Sequence, residues 1–287
     1  MRNVFLLLLF LASHRGGHAQ TVQFFEEQIG GFHSKLAGAK EDSTRQAACD
    51  SMCTYFRELV KLPEAMSYSF PLFKFCKLLS SDGRVRIFNW NLPYQDGTHL
   101  YYAFVLVQED KDELQWHVEL KDAIKDQDKI ENRLLPQDRW LGALYYEIIP
   151  MAKKKCDTYT LMGWDGKDRL STRKIIDVLH IQNKKVRFGE NVFKAGEGVR
   201  KRMVLEYSED VSASVKYYPK EKCILLDHLS PKSPMMAGIY SEYGPDGTYD
   251  MLVLKKGKWE LMENVDISEF IGRDDKPFFD PRTGRRQ

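Results

Sequence analysis

Apolar and polar residues alternate most strictly in one stretch near residue 214. Its apolar members occupy every second position and are separated by Ser or Lys: Val211, Ala213, Val215 and Tyr217. Successive side chains of a strand point to opposite faces of a sheet. The alternation therefore predicts a strand with one buried and one exposed face over residues 211–217.

A second strand is predicted over Arg84–Leu92, where the apolar positions change parity. Val85 and Ile87 occupy odd positions, whereas Phe88 and Trp90 occupy even ones. This change indicates either a β-bulge or a strand whose two faces are both covered.

Tight turns connect the remaining short apolar runs. Asp96-Gly97 predicts a hairpin turn that leads into a strand over His99–Gln108. Lys255–Lys258 predicts another hairpin, between the runs Tyr249–Leu254 and Trp259–Leu261. Because parallel strands need crossovers of a dozen or more residues, these short connections favour antiparallel pairing.

The N-terminal region has a helical pattern instead. Ser43–Gln46 has the form of a capping box, and the helix behind it is predicted to end before Pro63. Its apolar face contains Ala48, Met52, Tyr55, Phe56 and Leu59. Residues 21–38 predict an earlier helix, although Gly30-Gly31 interrupts the pattern. Residues 111–139 are highly charged and predict a helix or a long loop.

Together these patterns predict a mainly β (α+β) fold. An antiparallel β domain of short strands and hairpins follows an N-terminal helical segment. The predicted organisation is a signal peptide over 1–19, the helical segment over 20–65, the β domain over 70–265 and a tail over 266–287.

Residues 1–19 have the three parts of a secretory signal peptide. Arg2 precedes the apolar run Val4–Ala12, and Gly17-His18-Ala19 provides small residues for cleavage before Gln20. A membrane-spanning helix needs about 20 apolar residues, so this run is too short to be an anchor. No Cys follows it closely, which argues against a lipid anchor. We therefore expect the chain to be exported.

Charge excludes one class of partner. The chain has 43 Lys and Arg residues and 41 Asp and Glu residues, and cleavage would remove Arg2 and Arg15 but no acid. The mature chain is then neutral, with mixed signs, which argues against nucleic acid as a partner. The basic cluster Arg282–Arg286 is interpreted as a solvated tail.

The cysteines do not form a recognised framework. The five are Cys49, Cys53, Cys76, Cys156 and Cys223, so at least one thiol is free or intermolecular. Cys49 and Cys53 share one helix face, where burial as small apolar residues is favoured over pairing with other elements. No zinc pattern, Walker loop, GxSxG elbow or GxGxxG motif occurs, so we expect neither a metal nor a cofactor.

Six motifs carry a resemblance to known sequences. They are RVRIFNW at 84–90, WLGALYYEII at 140–149, YTLMGWDGKD at 159–168, KIIDVL at 174–179, DHLSP at 227–231 and YGPDGTY at 243–249. This set resembles an uncharacterised family of exported proteins from Bacteroidetes-type bacteria and covers residues 72–262. The resemblance implies export through the inner membrane to an envelope location in the periplasm or to the medium, and it implies no assigned activity.

Asp227-His228-Leu229-Ser230 contains the residue types of a hydrolytic triad. In a strand, Asp227 and His228 point to opposite faces, so they cannot act as consecutive triad members. The favoured interpretation is structural, with the carboxylate of Asp227 capping backbone N–H groups. His228 can still pair with an acid from elsewhere, and Asp165 is the other catalytic candidate.

The remaining candidate site residues are two aspartates beside a glycine turn and two tryptophans. Asp165 and Asp168 flank Gly166, but the loop lacks the spacing of a calcium site and is interpreted as a tight turn. Pro245-Asp246-Gly247 is interpreted as a turn on the same grounds. Trp90 and Trp164, with Asp168, are the ligand-binding candidates, because exposed aromatic rings stack on sugars; core packing is the competing role.

These observations favour an exported, non-enzymatic binding or interaction module. An envelope protein or a glycan is the expected kind of partner. The alternative is a hydrolase with a non-standard Asp/His site.

Overall fold

The computed structural model describes residues 21–109, 115–123, 129–152, 157–196, 198–267, 279–280 and 285–286. The predicted signal peptide, Cys156 and Arg282 lie outside these residues. The predicted fold class is confirmed: two N-terminal helices precede a set of mostly antiparallel sheets.

Both predicted helices are present. Helix α1 is Val22–Gly38 and helix α2 is Asp42–Leu59. The hydroxyl of Thr21 caps α1 by accepting a hydrogen bond from the backbone N–H of Phe24 at 3.3 Å. The predicted capping box does not form, because α2 begins at Asp42 and Ser43 already lies inside the helix.

Eighteen strands follow among the described residues. The first nine are β1 (Cys76–Leu79), β2 (Val85–Pro93), β3 (His99–Val107), β4 (Trp116–Lys121), β5 (Leu135–Pro136), β6 (Leu144–Pro150), β7 (Thr158–Asp165), β8 (Ser171–Gln182) and β9 (Lys185–Phe188). The others are β10 (Phe193–Ala195), β11 (Gly198–Arg200), β12 (Met203–Ser208), β13 (Val215–Tyr218), β14 (Cys223–Pro231), β15 (Tyr243–Lys255), β16 (Lys258–Met262), β17 (Phe279–Asp280) and β18 (Arg285–Arg286).

The strands form three main sheets. The first sheet has the order β1-β2-β3-β4; the middle sheet has the order β5-β9-β8-β7-β6, with β12 paired to β8; the outer sheet has the order β11-β10-β16-β15-β14-β13. Strands β17 and β18 pair with each other and, within the described part of the chain, with no other strand. The named strand pairs are antiparallel except β10 with β16.

Three hydrophobic clusters stack these parts in the order helices, first sheet, middle sheet, outer sheet. The first cluster joins the helices to one face of the first sheet, and Phe88 and Trp90 belong to it. The second joins Val85 and Ile87, on the opposite face, to the middle sheet. The third lies between the middle and outer sheets and includes Trp259.

This stacking explains the change of parity in β2. Both faces of the strand are buried, and its pairings with β1 and β3 show no register shift. The prediction of a strand covered on both faces is therefore confirmed, and a bulge is not its cause.

Three local predictions are wrong. Residues 211–214 are not part of a strand, because β13 starts only at Val215. Pro245-Asp246-Gly247 lies inside β15 rather than between strands. In the charged stretch 111–139, residues 111–114 and 124–128 lie outside the described residues, and the rest contains strands β4 and β5 and two short 3-10 helices, Ile130–Asn132 and Gln137–Arg139.

Two further observations concern the cysteines and the character of the helices. Cys49, Cys53 and Cys223 are buried free thiols, which confirms the burial interpretation for the first two. Across the described part of the chain, no helix has the length and apolar character needed to cross a membrane.

Candidate functional site

Asp165 lies at the end of β7 in a buried polar cluster. Its Oδ1 accepts hydrogen bonds from the Tyr101 hydroxyl at 3.0 Å and from the Lys167 backbone N–H at 2.9 Å. The guanidinium of Arg173 lies 3.8 Å from Oδ2. Burial raises the pKa of the Asp165 carboxyl. The carboxylate therefore already has partners within the fold, and the residue is 5% exposed.

The turn after Asp165 is held by a second acid. Glu206 on β12 accepts a 2.7 Å hydrogen bond from Arg173 Nε and another of 2.7 Å from the Ser171 hydroxyl, and it is ion-paired with Lys167. Lys167 also lies 3.0 Å from Ser171 Oγ, as in a Ser-Lys nucleophilic pair. The Ser171 hydroxyl donates its proton to Glu206, and the Lys167 ammonium is ion-paired with the same carboxylate. The three side chains therefore hold one another in place, and Lys167 does not activate Ser171 as a nucleophile.

Asp168 confirms the interpretation of this segment as a tight turn. Its Oδ1 accepts hydrogen bonds from the backbone N–H groups of Leu170 at 2.8 Å and Ser171 at 3.0 Å. These bonds, with the ion pair to Lys167, lower the pKa of Asp168 against the effect of burial. The side chain is thus used to close the turn.

Asp122 is a second carboxyl close to Asp165, and it is half-buried. Its Oδ2 accepts a hydrogen bond from the Tyr101 backbone N–H at 3.0 Å. A Cβ added to Gly142 would meet the same oxygen at 2.5 Å, so only glycine fits beside it. Burial, with the nearby charge of Asp165, raises the pKa of Asp122 to about 6.

The raised pKa of Asp122 predicts a pH-dependent stability. Between about pH 4 and pH 6 the folded protein holds a proton that the unfolded chain releases, so this carboxyl lowers the free energy of unfolding as pH rises through that window. Asp122→Asn keeps an acceptor but carries no charge. We expect it to be more stable than the wild type at pH 7.5 and to lose that advantage at pH 4, as measured by urea denaturation.

The exposed residue Asp138 provides the control for this comparison. Asp138→Asn should differ from the wild type by a similar amount at both pH values, because its carboxyl is exposed to water in both states. An Asp122→Asn difference that stays constant from pH 4 to pH 7.5 would contradict the assignment.

The two tryptophans proposed for ligand binding are buried. Trp90 is 2% exposed and stacks on Phe56, with ring centroids 4.9 Å apart. Trp164 is 4% exposed and makes an edge contact with His99 at 5.4 Å. Their ring faces cannot stack on a sugar from solvent, so both indoles act in core packing.

His228 has an acidic partner that sequence reasoning missed. Its Nδ1 lies 2.9 Å from Oδ2 of Asp250, which is on the neighbouring strand β15. Asp227 instead accepts a 2.7 Å hydrogen bond from the Ser214 backbone N–H, which confirms the predicted capping role. The hydrogen bond to Asp250 raises the pKa of His228 against the effect of burial.

A register shift between strands β14 and β15 brings His228 and Asp250 together. Asp227 is opposite Tyr249 and Leu229 is opposite Pro245, so β15 carries three residues where β14 carries only His228. Gly247 adopts a φ of 92° within this bulge, and Asp246 accepts hydrogen bonds from Thr248. The bulge aims His228 towards Asp250, and the imidazole is 29% exposed. The bulge sequence Pro-Asp-Gly was the signal available for it.

Beyond His228, β14 and β15 continue to an exposed apolar loop. We call residues 232–242 the apolar tip. Met235 is 94% exposed, Ile239 52% and Tyr240 48%. The loop is internally bonded, because the backbone N–H groups of Met236 and Ile239 donate to the carbonyl oxygens of Ser233 and Met236, each at 3.0 Å. It is also held to Tyr243 at the start of β15: the Gly238 N–H donates to the Tyr243 hydroxyl at 3.0 Å, and the Tyr240 and Tyr243 rings lie 5.2 Å apart.

Comparisons with known proteins add no identification. No family model, no curated protein and no solved structure matches the chain. Across the described residues, no group of three or more His, Cys, Asp or Glu side chains is arranged to hold a metal ion.

Proposed function

We propose that the protein is an exported, non-enzymatic binding protein of the bacterial envelope that contacts a partner protein through the apolar tip. The observation that carries this proposal is the exposure of Met235, Ile239 and Tyr240 on one internally bonded loop. Burying such side chains against a partner gains about 25 cal/mol for each Å² of apolar surface removed from water. A preformed loop also loses little conformational entropy on binding.

The chemistry of the tip favours a protein over a glycan. Two of its three exposed large hydrophobic side chains, Met235 and Ile239, are not aromatic, so they fit an apolar groove and offer no flat face to a sugar ring. The two Trp residues first considered for sugar stacking are in the core. The apolar tip has only two charges, Lys232 and Glu242, which pair at 2.9 Å, so it carries no net charge for attraction to anionic lipid.

The proposal can be tested by placing a photo-crosslinking amino acid at position 235 in the source bacterium. We expect one discrete adduct, found in the periplasmic or extracellular fraction, with a chain that starts at Gln20. Leu134 is exposed to a similar extent as Ile239 and provides the control position. Crosslinking from position 235 should disappear in the Ile239→Ser/Tyr240→Ser variant.

Two outcomes would reject the proposal. An adduct formed equally from positions 134 and 235 would mean that the apolar tip has no special role. A chain that retains residues 1–19 in the cytoplasm would remove the envelope from the proposal.

A hydrolase with a non-standard Asp/His site is the second candidate. It is favoured by the 2.9 Å contact between Asp250 and the half-exposed imidazole of His228. An imidazole oriented by a carboxylate can remove a proton from water as a general base. The proposed catalytic use of Asp227 and Asp165 has no such geometry, because both carboxylates are bonded within the fold.

The Asp250 contact predicts the titration of His228. NMR should give a His228 pKa above 6.5 in the wild type, and Asp250→Asn should lower it because the charged partner is lost. Asp246→Asn, which removes a more distant charge, should lower it less. A His228 pKa that is unchanged in Asp250→Asn would reject the pair, and intact hydrolytic activity in His228→Gln would reject this second function.

A further inference from the structure

A cavity of about 270 Å³ lies beside helix α1, in the helical layer and away from the apolar tip. One wall is the helix, where Glu27, Gly30 and Gly31 face the cavity. The opposite wall is the segment 72–75, which leads into β1. Pockets for drug-sized ligands measure about 300–1,000 Å³, so this cavity fits a smaller molecule.

The two glycines have no packing role inside the chain. Each costs a helix interior about 1 kcal/mol relative to alanine. A Cβ added to Gly30 or Gly31 would meet nothing within 4 Å. The fold therefore gains no close contact in return for two glycines in the middle of a helix. A molecule that lies directly against the helix backbone would use the space that they leave.

Opposite charges line the same cavity without pairing. Glu27 on the helix and Lys74 on the facing segment form no hydrogen bond or ion pair with any described residue, including each other. The ring of His33 packs 4.9 Å from that of Phe75. Burial and the nearby charge of Lys74 lower the pKa of His33, so its imidazole is neutral near pH 7. The cavity thus offers the unpaired charges of Glu27 and Lys74 and the aromatic ring of Phe75, beside a second carboxylate, Glu26, that is already hydrogen-bonded within the fold.

The wall opposite the helix is held in place by a buried carboxylate. Glu26 accepts hydrogen bonds from the Leu72 backbone N–H at 2.7 Å and from the Tyr68 hydroxyl at 3.1 Å. Between these two residues, Phe70 is fully buried with a φ of 50°, a strained conformation for an aromatic residue. Strain of this kind is found where a surrounding structure fixes a ligand-binding segment.

We propose that this cavity binds a small zwitterion of the amino-acid class. The ammonium group of the ligand faces Glu27, its carboxylate faces Lys74, and an apolar side group lies against Phe75 and Leu72. Van der Waals contact with the helix backbone at Gly30 and Gly31 completes the site. This inference is independent of the partner protein proposed for the apolar tip.

The test is calorimetric titration of the mature chain with leucine, isoleucine, methionine and phenylalanine. At least one should bind. Each charge-assisted contact contributes enough that its removal weakens binding about tenfold or more. For leucine, isopentylamine lacks the carboxylate, 4-methylpentanoate lacks the ammonium group and N-acetyl-leucine amide lacks both charges. All three should bind at least about tenfold more weakly than leucine if leucine is the ligand.

Variants separate binding from folding. Gly31→Ala should raise the melting temperature by about 2–4 °C through helix propensity, yet weaken binding about tenfold or more because its Cβ occupies the ligand space. Gly38, also without neighbours within 4 Å, is the matched control outside the cavity: Gly38→Ala should leave affinity unchanged. Lys74→Met should weaken binding, whereas Lys35→Met on the same layer should not.

Three results would overturn the proposal. They are the absence of binding by all four amino acids, equal affinity for an analogue with only one charge, and an unchanged affinity in Gly31→Ala. Loss of the apolar tip contacts in the crosslinking experiment would leave this test unaffected.

Discussion

Replacing Arg202 with methionine is expected to lower the free energy of unfolding by about 3–5 kcal/mol. Arg202 Nε lies 3.0 Å from Oδ2 of Asp177, and both side chains are 0% exposed. The substitution removes the cation but leaves the carboxylate in the core, where an uncompensated charge is costly. Urea denaturation with a check on the m-value measures the loss.

The surroundings of the pair explain why the loss should be large. Arg202 Nη1 also donates to the backbone carbonyl oxygens of Ile130 and Arg133, the latter at 2.9 Å. Asp177 is in the centre of β8, where its Oδ1 accepts a 2.7 Å hydrogen bond from the Val178 backbone N–H. The guanidinium therefore joins the middle sheet to the segment that precedes β5.

A double variant separates the charge from the packing. Arg202→Met with Asp177→Leu removes both charges, so it should be less destabilised than Arg202→Met alone. Lys194→Met, which removes one partner of an exposed ion pair with Glu260, should cost less than about 1 kcal/mol. Additive losses in the double variant would show that the pair contributes through shape alone.

Phe56→Ala is expected to cost about 3–5 kcal/mol through the cavity that it creates. The Phe56 ring is fully buried at the point where α2 contacts the first sheet. It lies 4.9 Å from Trp90, 5.2 Å from Phe88 and 5.3 Å from Phe104, measured between ring centroids. No single neighbour can move to fill the space, because each is held in a strand of the first sheet.

The same helix provides the controls for this prediction. Thr54 is exposed two residues away, and Thr54→Ala should change the free energy of unfolding by no more than about 0.5 kcal/mol. Phe56→Leu, which leaves a smaller cavity, should lie between the wild type and Phe56→Ala in guanidinium denaturation. A loss below about 1 kcal/mol for Phe56→Ala would mean that the aromatic cluster can repack.

Much of the secondary structure follows from the sequence because periodicity is a local property. The apolar face of α2 and the turn at Asp96-Gly97 both appear as predicted. The stacking of three sheets could not be predicted, since apolar residues on two faces of β2 show only that something covers each face. The full length of β14 does not follow from the sequence, because its last five residues are half-exposed and carry little apolar signal.

The candidate site was predicted only in part. Asp165, Asp168 and His228 all proved to be bonded residues, but the partners of two of them lie far along the chain. Asp250 is 22 residues from His228, and Tyr101 is 64 residues from Asp165. Such pairs depend on strand register, which one sequence does not specify.

Burial along β8 limits what mutation can do to this protein. Every residue from Ser171 to Leu179 is buried, and the run includes both apolar side chains and the bonded Arg173 and Asp177. A strand with one solvent-exposed face tolerates almost any polar replacement at every second position, whereas β8 has no such position between Ser171 and Leu179. During evolution the sequence of β8 should therefore change more slowly than the sequences of β14 and β15, the two strands that carry the apolar tip.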